Sequence, residues 1–168
     1  GGTSETKAES SAAADTSAKK EEAETEAAGE KKDGSEYKIG LVTDVGGVND
    51  GSFNQSSWEG LQKAAEDFGV EVNYLESSTD ADYVPNIETF IDEEYDLIIS
   101  VGYMLADATK QAAEANPECK FAIIDDATID LPNVTCLMFR QEQASYLVGY
   151  VAGLMTETDN IGVVIGMT

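Results

Sequence analysis

The residues best suited to chemistry stand in one short segment, "DVGGVNDGSFNQSSWEG", which follows an apolar run and precedes a helical pattern. Its glycines permit backbone angles that other residues resist, so the segment can turn sharply and let a ligand approach its main chain. The ionised carboxylates of Asp44 and Asp50 only accept hydrogen bonds and therefore favour a ligand that presents donors. Phe53 offers a flat surface for stacking, and Asn54 offers one donor group and one acceptor group. The spacing equally permits Phe53 to staple the loop onto neighbouring packing.

Three kinds of ion site, for phosphate, calcium and zinc, are not supported by this sequence. A nucleotide-phosphate loop needs the Lys of G-x-x-x-x-G-K-[ST] or the pattern G-x-G-x-x-G; both are missing here, and Asp44 and Asp50 would repel the anion. Calcium needs the register D-x-[DN]-x-[DN]-G-x5-E, which neither "DVGGVNDG" nor "TDADYVPNIE" matches. Because the chain has no His, Cys119 and Cys136 are interpreted as small buried hydrophobic residues rather than zinc ligands. We therefore predict no metal and no cofactor.

Catalysis would have to be carried by carboxylates alone. The acid–base candidates are Asp44, Asp125, Asp126 and Glu142, and paired carboxylates can perform glycosidase-like chemistry. The sequence gives no distances between them. An Asp at the end of a strand also commonly caps a loop or a helix, so both interpretations stay open.

Composition divides the chain and limits its partners. The first 36 residues contain no aromatic residue and no Leu, Ile or Val, so we predict a disordered acidic tether that cannot bury enough apolar surface to fold. The 33 acidic against 10 basic residues give a net charge of −23, which repels phosphate backbones and disfavours nucleic acid as a partner. The sequence has no apolar run near the ~20 residues that are needed to span a bilayer.

From residue 37 onward, short apolar runs alternate with helical patterns. Ser52 and Gln55 fit a capping box at the start of the first helix, and Gly69 fits its end. Strands that alternate with helices predict an α/β fold, in which right-handed crossovers place helices on both faces of a parallel sheet. The predicted strands cover 39–43, 70–75, 95–102, 121–124, 134–139 and 160–166, and the predicted helices cover 55–68, 84–92, 106–116 and 143–155.

A parallel sheet of this kind binds ligands in the crevice beyond the carboxyl ends of its strands. Carboxylates, a stacking ring and an amide at such a crevice favour a neutral heterocycle that carries a sugar over an anion. The candidate residues at the strand ends are Asp44 after the first strand, Gly102, Tyr103 and Met104 after the third, Asp125 and Asp126 after the fourth, and Arg140, Gln141 and Glu142 after the fifth.

Several motifs together resemble one family. They are "YKIGLVTDVGGVNDGSFNQSSWEGL", "IISVGYMLADAT", "FAIIDD", "NVTCLMFRQEQASYLVGYVAGLMT" and "NIGVVIGM", which run from residue 37 to the end of the chain. The most specific is D-x-G-G-x-x-D-x-S-F-N-Q, which begins at Asp44. The chain resembles the basic membrane protein family of ABC-transporter substrate-binding lipoproteins, which includes PnrA-type purine nucleoside receptors.

The resemblance implies a two-lobed, type I periplasmic-binding-protein fold that closes on a nucleoside. By this resemblance Phe53 stacks on the base, Asn54 bonds the edge of the base, and an Asp at the end of the fourth strand faces the ligand, with Asp126 preferred over Asp125. The full set of predicted ligand-binding residues is Asp44, Asn49, Asp50, Phe53, Asn54, Met104, Asp125 and Asp126.

The resemblance also implies how the chain is organised and where it works. Residues 1–36 are predicted as the tether, 37–155 as the first ligand-binding lobe, and 156–168 as a crossover and the first strand of a truncated second lobe. The expected protein is a non-enzymatic receptor that delivers a nucleoside to ABC permease and ATPase subunits. A lipid anchor on a Cys that is not in this chain would hold it on the extracytoplasmic face of the cell membrane. The alternatives are an enzyme that acts on a nucleoside through Asp44 and Asp126, and a sensor or adhesin that reuses the fold.

Overall fold

The computed structural model describes residues 33–164, which fold around one five-stranded sheet. Short 3-10 turns, Asp80–Asp82 and Tyr103–Leu105, precede the second and third helices. The strands are β1 (Lys38–Val42), β2 (Glu71–Leu75), β3 (Leu97–Val101), β4 (Phe121–Ile124) and β5 (Val134–Leu137), and the helices are α1 (Phe53–Phe68), α2 (Tyr83–Asp92), α3 (Ala106–Ala115) and α4 (Gln141–Met155).

The sheet has the strand order β2-β1-β3-β4-β5, and every neighbouring pair is parallel. The predicted α/β class with a parallel sheet is therefore confirmed. Because β2 and β3 lie on opposite sides of β1, the chain changes direction across the sheet at β1 and β3. The crevice at such a switch point lies beyond the carboxyl ends of these two strands.

Adjacent residues of one strand bury themselves on opposite faces of the sheet. Leu41 joins the apolar cluster that holds Leu61 of α1, whereas Val42 joins the cluster that holds Ile87 of α2. Helix α3 contributes Ala108, Ala112 and Ala113 to this second cluster. The sheet thus carries α1 on one face and α2 and α3 on the other, so β1 and β3 are covered on both sides and read as continuous apolar runs.

Helix α4 differs from the other three helices in having almost no covered surface. Only Ala152 of its residues is partly buried, although the helix is rich in apolar side chains. The rings of Tyr146 and Tyr150 stack on each other with centroids 6.5 Å apart. Within the described residues, no helix has the length and apolar character of a membrane span.

The ends of several elements differ from the sequence predictions. β5 ends at Leu137 rather than at residue 139, which leaves Met138 and Phe139 outside the sheet. The predicted strand 160–166 is not a strand over 160–164, because this segment pairs with no neighbouring strand among residues 33–164. Its last two residues lie outside the described part. Gly69 ends α1 with φ 76° and donates to the Ala65 carbonyl, as predicted.

The chain enters the sheet through a turn that contacts the end of α1. The Gly34 amide donates to the Phe68 carbonyl at 2.7 Å, and the Tyr37 amide donates back to the Gly34 carbonyl at 2.9 Å. The last residues of the predicted tether therefore form a turn over residues 34–37, and residues 1–32 lie outside the described part.

Two glycines offer matched substitutions that test this packing. A Cβ on Gly40 of β1 would lie 2.6 Å from the Phe90 ring, so Gly40→Ala should lower the free energy of unfolding by about 1–3 kcal/mol through overpacking. Gly60 of α1 has no atom within 4 Å of such a Cβ. Gly60→Ala should instead raise the free energy of unfolding by about 0.5–1 kcal/mol, because Gly is a poor helix residue. Urea unfolding measures both, and equal effects of the two substitutions would contradict the packing.

Candidate functional site

The loop between β1 and α1 is held by the carboxylate of Asp44 at its start. Asp44 Oδ1 accepts the Gly46 amide at 2.8 Å and Asn54 Nδ2 at 2.7 Å. These two bonds fold the loop back onto the first turn of α1. The Asn54 side chain is consequently buried, with 1% of the residue exposed.

Asp50 caps α1 from inside the same loop. Its Oδ1 accepts the amides of Ser52 at 2.8 Å and Gln55 at 3.0 Å, and its Oδ2 accepts the amide of Asn54 at 3.1 Å. The predicted capping box is wrong: the Ser52 side chain makes no cap bond, and the Gln55 side chain accepts the Gly51 amide at 3.1 Å. The helix can begin earlier, at Phe53, because a carboxylate two residues before Ser52 already satisfies three of its free amides.

These bonds also set the charge state of Asp50. Burial favours the neutral acid, but the amides of Gln55, Ser52 and Asn54 together outweigh burial and hold the pKa of Asp50 below its ordinary value. Asp50 is therefore an anion at neutral pH, and it lies where the amides at the N-terminus of a helix stabilise negative charge.

Two polar side chains, Tyr83 and Asn54, are buried beneath the loop. Burial raises the pKa of the Tyr83 hydroxyl, and the carboxylates of Asp44 and Asp80 raise it further. Among residues 33–164, Tyr83 Oη and Asn54 Oδ1 are the buried side-chain oxygens without a hydrogen-bond partner. The Asn54 amide thus belongs to the packed underside of the loop.

Phe53 is the side chain that the loop leaves in the open. It is the first residue of α1 and is 46% exposed. Its ring contacts Phe139, edge to face, with centroids 6.1 Å apart and an angle of 66° between the planes. The sequence left open whether Phe53 staples the loop or stays free. The structure leaves nearly half of its surface exposed and pairs the ring with an aromatic residue that follows β5.

An open groove of about 730 Å³ surrounds this aromatic pair. It joins the start of α1 to the ends of β4 and β5. It combines apolar walls with hydroxyl, amide and carboxylate groups, and its lining residues are Ser52, Phe53, Ser56, Ser57, Ile124, Asp125, Phe139 and Gln141.

The two Asp residues after β4 differ in their surroundings. Asp125 has φ 63°, a left-handed backbone that the bond from its amide to the Leu137 carbonyl at 2.8 Å helps to fix. It lines the groove. Asp126 is mostly buried, and its Oδ1 accepts both the amide and the hydroxyl of Thr128 at 2.8 Å. Of the pair, Asp125 is the residue that the structure brings to Phe53.

The remaining predicted site residues are not among those that line the groove. Asn49 is exposed in the β1–α1 loop, and Met104 is exposed in the turn after β3. Glu142 is exposed in the first turn of α4. The structure thus joins Phe53 and Asp125 in one groove. Asp44, Asp50 and Asn54 instead form hydrogen bonds within the β1–α1 loop and the first turn of α1. No cluster of three potential metal ligands occurs among the described residues.

Sequence reasoning missed Phe139, Ser56 and Ser57 as groove residues. Phe139 was assigned to the end of a strand, so its side chain had no reason to be considered free. Ser56 and Ser57 were taken only as part of a helix. Their place one turn beyond Phe53 was the available signal, because residues three or four apart share one side of a helix.

The capping role of Asp50 predicts a loss of stability that depends on pH. Asp50→Ala should lower the free energy of unfolding by roughly 0.5–2 kcal/mol near neutral pH, the range for a lost helix cap. The folded pKa lies below the ordinary 3.8, so charged Asp50 stabilises the fold above that pH and this contribution is lost as pH falls through the lowered pKa. Urea unfolding at pH 7 and at pH 2–3 should show the difference from the wild type shrinking. The exposed Asp130→Ala is the control, and a difference for Asp50→Ala that is constant with pH would contradict the assignment.

Comparison with known proteins places the chain in a family. The model of a family described as "ABC transporter substrate-binding protein PnrA-like" matches residues 38–168. The CD4+ T-cell-stimulating antigen of Listeria innocua is 44% identical over 144 residues, which are 83% of this chain and 40% of that protein. The ABC transporter nucleoside-binding protein BmpA of Lactococcus lactis is 39% identical over 136 residues, 79% of this chain and 39% of that protein. This chain therefore spans about 40% of the length of these relatives.

The fold agrees with a solved structure. A solute-binding protein of an ABC transporter system from Aeropyrum pernix superposes with a TM-score of 0.64 and 34% identity, over 70% of this chain and 32% of that one. The predicted resemblance to basic membrane proteins and the predicted periplasmic-binding-protein-like fold are both confirmed. On the evidence of the family match and the shared sheet, this chain belongs to the PnrA-like family of ABC-transporter substrate-binding proteins.

Proposed function

We propose that the full-length protein is the receptor of an ABC importer and that it captures a nucleoside, with a purine nucleoside as the preferred ligand. The observation that carries this proposal is the open ring of Phe53, which stands in one groove with the carboxylate of Asp125. A planar base can lie against the ring, while a carboxylate accepts hydrogen bonds from an amine or a sugar hydroxyl.

The groove suits a small polar ligand with a flat part. Its volume of about 730 Å³ falls in the range of small-molecule sites, which are mostly apolar and carry a few polar groups that orient the ligand. Ser56 and Ser57 add hydroxyls that both donate and accept hydrogen bonds. The relative from Lactococcus lactis bears a nucleoside-binding name, which supports the same class of ligand here.

We further propose that a second lobe completes the site. The chain spans about 40% of the relatives' length, and α4 exposes an apolar surface that a further lobe would cover. In this arrangement residues 37–155 form the first lobe and α4 stands at its junction with the second. Closure of two lobes around a hinge would then enclose the ligand.

Permease and ATPase subunits are the proposed partners, and a lipid anchor at a Cys outside this chain is the proposed attachment to the extracytoplasmic face of the membrane. The turn at Gly34 supports this geometry. It joins the N-terminal part of the chain to the Phe68 end of α1, whereas the groove lies at the Phe53 end.

We propose no chemistry on the ligand. The pair of carboxylates that an enzyme was expected to use is Asp44 and Asp126, and both are engaged within the protein. Asp44 Oδ1 accepts two bonds from the loop and from Asn54, and Asp126 Oδ1 accepts two bonds from Thr128. A general acid or base must instead reach the proton that it transfers.

Nucleosides should stabilise the full-length protein. A ligand at 100 times its Kd adds about 2.7 kcal/mol to the free energy of unfolding, so guanosine, inosine or adenosine should raise the Tm by a few degrees. Thermal scans with each nucleoside and with free ribose as the control measure this. The absence of any shift at millimolar nucleoside would contradict the proposed ligand class.

Chromatography of the same samples separates the receptor from an enzyme. The nucleoside should be recovered intact after incubation with the protein. Release of free base in proportion to the protein concentration would favour hydrolysis over transport.

Phe53 and Phe68 provide a matched pair of substitutions on the same helix. The two rings are 46% and 45% exposed at opposite ends of α1. Phe53→Ala should weaken nucleoside binding by about 1–3 kcal/mol, the range for a stack of a base on an aromatic ring. Phe68→Ala should leave the Kd unchanged. Calorimetry on the full-length protein measures both values, and equal Kd values for Phe53→Ala and the wild type would remove Phe53 from the site.

A further inference from the structure

We infer that Glu76 is a positioning residue for the ligand site and that it acts by holding the β1–α1 loop from outside. Glu76 follows β2, at the edge of the sheet, and is not part of the groove. This inference rests on the proposed function, because the loop matters through the ring of Phe53 that it carries.

The contact joins two distant parts of the chain. Glu76 Oε1 accepts the amide of Val48 at 2.6 Å, across 28 positions of sequence. Val48 is 5% exposed, so its side chain is buried while its amide is bonded. A hydrogen bond to an ionised carboxylate is stronger than one between neutral groups.

The other side-chain bonds to loop amides are local. Asp44 bonds Gly46, Asp50 bonds Ser52, and Gln55 bonds Gly51. Among residues 33–164, Glu76 is the side chain from beyond the loop and α1 that bonds a loop amide. Local bonds fix the shape of the loop. The bond to Glu76 fixes where that shape lies relative to the sheet.

Hydrogen bonds from neighbouring elements hold the backbone around Glu76 in place. Asn86 Nδ2 donates to the Glu76 carbonyl at 3.1 Å and to the Ser77 hydroxyl at 3.0 Å, and Ser77 is almost fully buried. One residue earlier, the Leu75 carbonyl accepts the Thr43 amide at 3.1 Å, which extends the pairing of β1 and β2 to the base of the loop. The carboxylate thus projects from a segment that is tied both to α2 and to β1.

Gly47 shows that the loop fits against this carboxylate. It has φ 67°, and a Cβ at this position would lie 3.0 Å from Glu76 Oε1. The left-handed backbone suits Gly, and the close approach leaves little room for a side chain. A side chain here would strain the left-handed turn and would force the Glu76 carboxylate to shift by a few tenths of an ångström.

The position of the loop can affect ligand binding because few residues separate Val48 from the ring of Phe53. Val48 is two residues before Asp50, whose carboxylate caps the first turn of α1, and Phe53 is the first residue of that turn. A loop released from Glu76 would therefore let the cap and the ring sample more than one position. An ordered ring binds better than a mobile one, because binding then costs less conformational entropy.

Three substitutions in the full-length protein test this inference. Glu76→Ala removes the acceptor, Glu76→Gln keeps an acceptor oxygen, and Glu71→Ala removes an exposed carboxylate at the other end of β2. Hydrogen exchange by NMR without ligand reports on the Val48 amide, and calorimetry with the nucleoside that binds the wild type reports the Kd. The Ile98 amide, which donates to the Lys120 carbonyl within the sheet, reports on the rest of the fold.

In Glu76→Ala the Val48 amide should exchange at least about tenfold faster, while Ile98 keeps its wild-type rate. The Kd should rise roughly three- to tenfold, less than the full value of a charged hydrogen bond because Glu76 is exposed. Glu76→Gln should recover most of both effects, and Glu71→Ala should show neither. An unchanged Val48 rate would overturn the inference, as would an unchanged Kd in a variant whose Val48 amide is deprotected. Equal acceleration of Val48 and Ile98 would make Glu76 a general stabilising residue and would also overturn it.

Gly47→Ala provides an independent arm. Gly47→Ala strains the turn and also crowds the Glu76 carboxylate; the second effect should be lost once residue 76 is Ala, so the two substitutions should raise the Kd by less than the sum of their separate effects. Full additivity would overturn the inference. If the wild-type protein bound no nucleoside, the proposed function would fail, whereas the exchange rate of Val48 would still decide whether Glu76 holds the loop.

Discussion

The site depends on the bonds between the Asp50 carboxylate and the amides that begin α1. These amides have no partner within the helix, and Asp50 satisfies three of them. Because the carboxylate comes from the loop, the helix starts as soon as the loop ends, and Phe53 becomes its first residue. Phe53 lines the groove at the carboxyl ends of β4 and β5, while Trp58 and Leu61 on later turns pack against the sheet.

The sheet supplies the rest of the arrangement. Because all its strands are parallel, the carboxyl ends of β1, β3, β4 and β5 lie side by side at one end of the sheet. Residues that are more than 70 positions apart in sequence, Phe53 and Asp125, therefore line one groove. The four Asp carboxylates at this end of the sheet have different partners. Asp44, Asp50 and Asp126 bond amides, hydroxyls and an amide side chain of the protein, which leaves Asp125 as the acid in the groove wall.

Most of the fold could be predicted from the sequence because local rules determine it. Apolar runs and helical periodicity located all five strands and all four helices among residues 33–164, and the loop after the first strand made Phe53 a candidate stacking ring, which stays a prediction. The details that the sequence predicted wrongly or missed depend on which groups are neighbours in three dimensions. Ser52 has the right spacing for a cap, but Asp50 reaches the same amides with a charged group. Phe139 belongs to an apolar run, yet pairing with β4 stops at Leu137. Glu76 has no local pattern at all, since its partner is 28 positions away.

The Gly34 turn has a mechanical consequence. It ties the incoming chain to the Phe68 end of α1, and a helix of 16 residues is about 24 Å long. A force applied to the chain on the N-terminal side of this turn is therefore carried by the hydrogen bond from the Gly34 amide to the Phe68 carbonyl and by the start of β1. Phe53 lies at the opposite end of this helix, so the ring and the groove are about one helix length away from the point where the chain enters the sheet.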